Sequence, residues 1–216
     1  MPKIRKDIFI TALVITLAIF LLGFYTAKIW DDLRTSDVAY NLNQNNLDII
    51  SIFVEQQFLE SLDIGDCVLM KERLSSSSGN LYDLGQRLME YDDKNLLKEK
   101  EYDSLREQYF LLEIRAYSLF IDYNKKCDNK QNIILYFYDL EDDNSVKQGY
   151  VLDNLANRQD INIKIFSIDR QFDEPTLNLV KNYYNITKAP TIIVNNKDKK
   201  EGFTSVGEVF ALVKNE

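Results

Sequence analysis

The sequence predicts an α/β domain with a central mixed sheet and flanking helices, preceded by an all-α domain and one N-terminal transmembrane helix. An uncharged apolar run occupies residues 8–27, residues 36–126 lack proline and show helical spacing, and from Asn132 the apolar residues form short strand-like runs. We therefore predict four parts. These are 1–7 (cytoplasmic N-terminus), 8–30 (transmembrane signal anchor), 31–127 (extracytoplasmic helical domain) and 128–216 (the α/β domain).

The N-terminal apolar run is long enough to cross a bilayer. As a helix it would extend roughly 30 Å, which matches the hydrocarbon core. A cleaved signal peptide, whose apolar region is usually about 7–15 residues, and a core helix are the alternatives. Lys3, Arg5 and Lys6 precede the run, and acidic residues dilute the basic ones that follow it. We therefore expect a single-pass cell-membrane protein that contacts lipid through residues 8–30, with a cytoplasmic N-terminus and extracytoplasmic C-terminal domains.

The charge of the chain argues against some partners and some chemistry. The net charge is −8 and the first thirty residues carry +3, so the remaining residues carry −11. An acidic ectodomain argues against nucleic-acid binding, which normally needs a basic face. The sequence contains no histidine. Ser-His-Asp and Cys-His catalysis are therefore excluded.

The two cysteines, Cys67 and Cys127, are too few for a Cys₄ metal site and form no C-x-x-C. Outside the cytoplasm such a pair is most simply a disulfide, and two free thiols are the alternative. Cys67 begins one predicted helix and Cys127 ends another. The two ends could therefore meet if the helices are antiparallel neighbours.

The helical domain shows its clearest pattern in its last helix. We predict helices from about Ser36 to Leu62, Cys67 to Leu74, Leu81 to Tyr91 and Lys94 to Lys126, with a flexible loop at 75–80. The last helix carries a heptad-spaced seam of Tyr102, Leu105, Tyr109, Leu112, Ala116, Leu119 and Tyr123. We expect this seam to pack on the first long helix of the same chain. An intermolecular coiled coil, and with it a homo-oligomer, is the alternative.

The last third reads as β-α-β-α-β-β-α. The predicted elements are strand 133–138, a helix with a capping box at Ser145–Gln148, strand 161–168, a helix from Pro175, strand 191–194, a turn at 195–199, a short strand near 202–203 and a helix from about Ser205.

This order, with its details, resembles the thioredoxin family. The family pattern of a strand ending in Ile-Asp, a helix ending in tyrosine and then I-x-x-x-P-T appears as Ile168-Asp169, Tyr183-Tyr184 and Ile186–Thr191. The resemblance covers roughly residues 131–215. It implies a cis peptide bond before Pro190 and a peptide-binding loop at Ala189, Pro190 and Thr191.

The chain departs from the family where active members carry C-x-x-C. That stretch is Leu140, Glu141, Asp142, Asp143, Asn144 and Ser145, which contains no cysteine and is acidic. Tyr136 stands where the family has a buried acid. Carboxylates raise the pKa of nearby thiols and so oppose thiolate chemistry. The three acids could bind Ca²⁺, but acids at a helix start are ordinary. We therefore expect no catalytic residue, metal or cofactor here, and a domain that does not perform dithiol exchange.

Three functions fit these features. The first is a membrane-tethered, non-catalytic thioredoxin-like protein that acts as a binding, scaffold or chaperone-like module for an unidentified protein partner or client. The second is a thiol-disulfide oxidoreductase or redox accessory that uses Cys67 and Cys127. The third is a structural protein whose helical domain drives oligomerisation. The missing C-x-x-C and histidine favour the first.

Overall fold

The computed structural model describes residues 9–29, 50–51, 54, 57–58, 67–93, 99–127, 131–158 and 160–214. The chain forms two compact units, Met1–Glu55 and Gln56–Glu216. The first contains helix α1, Phe9–Ile29, which is long and apolar enough to cross a membrane. The helix predicted from Ser36 to Leu62 lies largely outside the described residues. Positions 50, 51, 54, 57 and 58 within it are helical.

The second unit is built from five helices and four strands in its described residues. They are α2 (Cys67–Asp93), α3 (Glu99–Lys126), β1 (Asn132–Tyr138), α4 (Asp143–Ala156), β2 (Ile163–Asp169), α5 (Pro175–Tyr183), β3 (Thr191–Val194), β4 (Asp198–Glu201) and α6 (Val206–Lys214).

The four strands form one mixed sheet in the order β2-β1-β3-β4. β1 and β2 are parallel, whereas β3 is antiparallel to both β1 and β4. The parallel pair is joined by α4, as a parallel connection requires. This strand order with flanking helices is the thioredoxin-like arrangement that the sequence resemblance implies.

Helices cover both faces of the sheet. One core lies between the sheet and α3 and α5, where Phe110, Phe120 and Leu177 meet Phe137 and Phe166. The other lies between the sheet and α4 and α6, and includes Leu152 and Val209. Because β1 is buried on both faces, its sequence is an unbroken apolar run. The boundary predicted between residues 127 and 128 coincides with a change from helix to strand. It does not divide the first core, because residues of α3 and β1 belong to that core together.

The heptad seam of α3 is used within the chain. Leu105, Leu112, Ala116 and Leu119 are buried. They lie on a helix that packs against α2 on one side and against β1, β2 and α5 on the other. The seam is therefore covered within the chain by α2 and the sheet. Its predicted partner, the helix from Ser36 to Leu62, lies largely outside the described residues, so packing on that helix stays a prediction.

The flexible loop predicted at Ser75–Asn80 is wrong. These residues lie inside α2, which is one continuous helix of 27 residues. Leu74, Ser77 and Leu84 are buried along one side of it. Packing of this side against α3 outweighs the low helix propensity of serine and glycine, which is a weak local preference.

Two boundaries in the last third also differ from prediction. Helix α4 begins at Asp143 and is capped by Asp142, so the capping box predicted at Ser145–Gln148 is wrong. The last strand is Asp198–Glu201 rather than a strand at 202–203. Its four residues are all charged, and an edge strand with little burial gives no apolar pattern to detect.

Candidate functional site

The loop at residues 140–145 contains the N-terminal cap of α4. The Asp142 carboxylate accepts hydrogen bonds of 2.8 Å from both the backbone N–H and the hydroxyl of Ser145. The Ser145 Oγ accepts a 3.2 Å hydrogen bond from the backbone N–H of Asp139. Tyr136 donates to the Ser145 carbonyl at 2.5 Å. The side chain that replaces the family's buried acid therefore supports the first turn of α4.

The start of α4 already holds a negative charge. Hydrogen bonds from Ser145 lower the pKa of the Asp142 carboxyl below its usual value. A carboxylate at this position uses the N–H groups and the positive end of the helix dipole, which would otherwise stabilise a thiolate. Residues 140–145 contain no cysteine, so this loop supplies structural capping and no thiol.

Two ion pairs close the carboxyl ends of β1 and β2. Arg170 contacts Asp139 at 2.6 Å, and Arg106 of α3 contacts Asp169 at 2.5 Å. Lys181 adds a 3.0 Å hydrogen bond to the Arg170 carbonyl. No local pattern predicts the second pair, because its members are 63 residues apart and lie in elements of different type.

The loop at Ala189, Pro190 and Thr191 lies beside the end of β1. The Ala189–Pro190 bond is cis. Thr191 pairs with Phe137 of β1 and with Glu201 of β4. The Pro190 carbonyl accepts a 2.7 Å hydrogen bond from Gly202, whose φ of +81° favours glycine. Within the described part of the chain, the backbone N–H and C=O of Ala189 have no hydrogen-bond partner.

Three exposed apolar side chains lie in the segments that follow β1 and β4, the two strands that pair with Thr191. Leu140, Val146 and Phe203 are 64%, 50% and 49% exposed. Gln148 of α4 accepts a 2.7 Å hydrogen bond from the Thr204 N–H, which holds the segment after β4 against α4. We call Leu140, Val146, Phe203 and the Ala189 backbone the loop-end surface. The sequence predicts a strand at Phe203 and therefore gives no sign that its side chain is exposed beside this loop.

The cysteines form a disulfide away from this surface. Cys67 and Cys127 are bonded, with their Cα atoms 5.6 Å apart, and so tie the start of α2 to the end of α3. The two-thiol alternative is therefore wrong for this structure. Cys127 precedes β1, whose seven residues span about 20 Å before the loop-end surface begins.

Comparison with known proteins adds only structural likenesses. No protein-family model matches the chain, and no curated protein matches it. A solved structure of a malarial protein is 24% identical, with 39% of this chain and 96% of that one aligned at a TM-score of 0.34.

Two thioredoxins give similar values. Thioredoxin-2, a component of the malaria parasite protein secretion machinery, is 23% identical, with 40% and 84% covered at a TM-score of 0.35. Chloroplastic thioredoxin z is 20% identical, with 41% and 80% covered at a TM-score of 0.35. At these TM-scores the likenesses carry no argument, and the strand order β2-β1-β3-β4 agrees with the arrangement that the sequence resemblance implies.

Proposed function

We propose that this protein is a membrane-tethered, non-catalytic thioredoxin-like module that binds an extended segment of a protein partner outside the cytoplasm. The observation that carries the proposal is the loop-end surface. Leu140, Val146 and Phe203 are exposed in segments that follow β1 and β4, at the end of the sheet where the backbone groups of Ala189 have no partner in the described chain.

Such a surface suits an extended peptide. Backbone N–H and C=O groups are obligatory hydrogen-bonding groups, and a strand-like peptide supplies both partners at once. Neighbouring apolar side chains give the contact area that backbone pairing lacks. A cluster of exposed apolar residues of this kind is typical of an interaction site.

In this proposal the domain does not perform disulfide exchange, and the Asp142 cap of α4 is the reason. Disulfide exchange starts with a thiolate, and the helix start that would stabilise one is capped by Asp142. The disulfide lies beyond the other end of β1 and serves, in this proposal, to join α2 to α3.

The tether gives the binding module its location. Helix α1 would hold the protein at a membrane, with the basic residues before it on the cytoplasmic side. Confinement to a surface raises the effective concentration of a membrane-bound partner without any new contact.

Photo-crosslinking in native membranes tests the proposal. A crosslinking amino acid replaces Leu140 or Phe203 in the full chain, and Leu179 is the matched control because it is 70% exposed on α5, on the other face of the sheet. We expect one shared protein partner from Leu140 and Phe203, and none from Leu179.

Two further measurements complete this test. Labelled ten-residue peptides with alternating apolar residues should bind the full chain in micelles. Phe203→Ser should weaken that binding at least tenfold, and Leu179→Ser should leave it unchanged.

Crosslinks from Leu140 and Phe203 only to a second copy of this chain would support the structural alternative. Insulin reduction above background would support the redox alternative and overturn this proposal.

A further inference from the structure

A cavity of about 510 Å³ lies between α2, α3 and the edge strand β2. Its lining is mostly apolar and includes seven aromatic residues, four of which are the tyrosines Tyr82, Tyr102, Tyr109 and Tyr138. The cavity is of the size that small-molecule sites have. It is separate from the loop-end surface and plays no part in the proposed peptide binding.

One acidic side chain lines this cavity and is almost completely buried. Glu113 of α3 is 5% exposed, and its Oε2 has no hydrogen-bond partner within the described residues. The carboxyl group is hydrogen-bonded to Tyr109 and to the backbone of Ser167 in β2. A buried carboxyl oxygen without a partner costs free energy, and this cost would be removed by a ligand that supplies a donor.

The cations around the cavity leave Glu113 without a counter-charge. Arg106 lies two helical turns earlier on α3, and its guanidinium is paired with Asp169. Lys164 lines the cavity from an exposed position on β2. Burial raises the pKa of the Glu113 carboxyl to about 8, and the hydrogen bonds from Tyr109 and Ser167 only partly oppose this rise.

The surrounding rings favour a positive ligand. Aromatic faces attract cations through their quadrupole, most strongly where water is excluded. The structure already contains this kind of contact, because the Arg106 guanidinium lies 5.7 Å from the centre of the Phe110 ring and 5.0 Å from that of Phe172. A buried carboxyl among aromatic side chains is therefore suited to an organic ammonium group.

We propose that this cavity binds a primary amine with an apolar body, whose ammonium group donates a hydrogen bond to Oε2 of Glu113 while its apolar body packs against the aromatic walls. Binding of the amine is coupled to the loss of a proton from Glu113. The ammonium ion binds to the ionised carboxylate, so below about pH 8 each binding event releases the Glu113 proton to solvent. Affinity should therefore rise about tenfold for each pH unit up to about pH 8.

Calorimetry of the full chain in micelles tests this with three probes of the same shape. Phenethylamine carries a positive charge, 2-phenylethanol is neutral and phenylacetate is negative. We expect the amine to bind at least tenfold more tightly than the alcohol, no binding of the acid, and proton release with the amine alone. None of the other charged and titratable groups at the site reverses this order; they are Arg106, Lys164, Tyr82, Tyr102, Tyr109 and Tyr138.

Variants locate the site. Glu113→Gln should weaken amine binding at least tenfold and remove its pH dependence, whereas 2-phenylethanol should bind as before. Glu107→Gln, an exposed glutamate on the same helix, is the control and should change nothing. Equal binding of amine and alcohol to the unmodified chain, or unchanged amine binding to Glu113→Gln, would overturn the proposal. If Glu113→Gln fails to fold, the comparison of the three probes on the unmodified chain decides it.

Discussion

Arg106 of α3 donates a 2.5 Å hydrogen bond to the carboxylate of Asp169 at the end of β2. The carboxylate also accepts a 2.9 Å hydrogen bond from the Gln171 backbone. This pair fixes a helix from the segment before the sheet to the carboxyl end of a strand. The position of α3 on the sheet therefore depends on a polar contact as well as on the apolar core.

Replacing Asp169 by Asn should destabilise the protein. The substitution leaves the Arg106 guanidinium, which is only 18% exposed, with the more distant and exposed carboxylate of Asp103, 3.7 Å away, as its remaining counter-charge. Breaking a buried ion pair costs about 3 kcal/mol. The free energy of unfolding of the full chain in micelles, measured with urea, checks this. Asp160→Asn is the control, because it breaks the exposed pair with Arg158 and should leave the unfolding midpoint in place.

Removing the disulfide should lower stability without changing the fold. The bond joins residues that are 60 positions apart. A loop of that length stabilises the folded state by about 4 kcal/mol in the chain-entropy model. Urea unfolding of a Cys67→Ser, Cys127→Ser double variant measures the loss. The unmodified chain under reducing conditions should give the same value, and a larger difference between the two would contradict a purely structural bond.

The stability of the protein should fall as pH rises from about 4.5 to about 8. Glu113 has a pKa of about 8 in the folded chain against a usual value of 4.5, so the folded state holds its proton more tightly than the unfolded state does. The stabilisation by protonation is complete below about pH 4.5. Between about pH 4.5 and about pH 8, the free energy of unfolding falls by at most about 1.4 kcal/mol per pH unit.

Glu113→Gln should flatten this profile and raise the melting temperature near pH 8. Thermal unfolding of both proteins at several pH values is the measurement. Asp142, whose carboxyl pKa is lowered, titrates below the window and does not interfere. If the melting temperatures of the two proteins change in parallel with pH, Glu113 does not dominate the pH dependence of stability.

A dithiol placed at the start of α4 should become redox-active. A double variant with Asp142→Cys and Ser145→Cys places two thiols at the N-cap and at the third position of the helix, where the Asp142 and Ser145 side chains now hydrogen-bond to each other at 2.8 Å. The helix N-terminus lowers the pKa of a thiol placed there. We expect a second disulfide by mass spectrometry and insulin reduction above that of the unmodified chain. The single variant Asp142→Cys is the control. An inactive double variant would mean that dithiol exchange in this domain needs more than the two missing cysteines.

Much of the architecture was available from local sequence signals. The apolar length of α1, the uninterrupted apolar run of β1 and the strand Thr191–Val194 each follow from residues that are adjacent in the chain. The strand ends and the pattern before Pro190 predicted the thioredoxin-like arrangement. The same signals failed for β4, since an edge strand of charged residues has no apolar period.

The sequence by itself determined the apolar N-terminal segment, the order of the α/β elements and the lack of thiols in the loop before α4, because these properties depend on residue type and short spacing. Only the tertiary structure decided that residues 75–80 are helical, that Arg106 meets Asp169, and that Glu113 lines an aromatic cavity. Each of these depends on contacts between segments that are distant in the chain. Such contacts can outweigh local propensity, and they leave no periodic trace in the sequence.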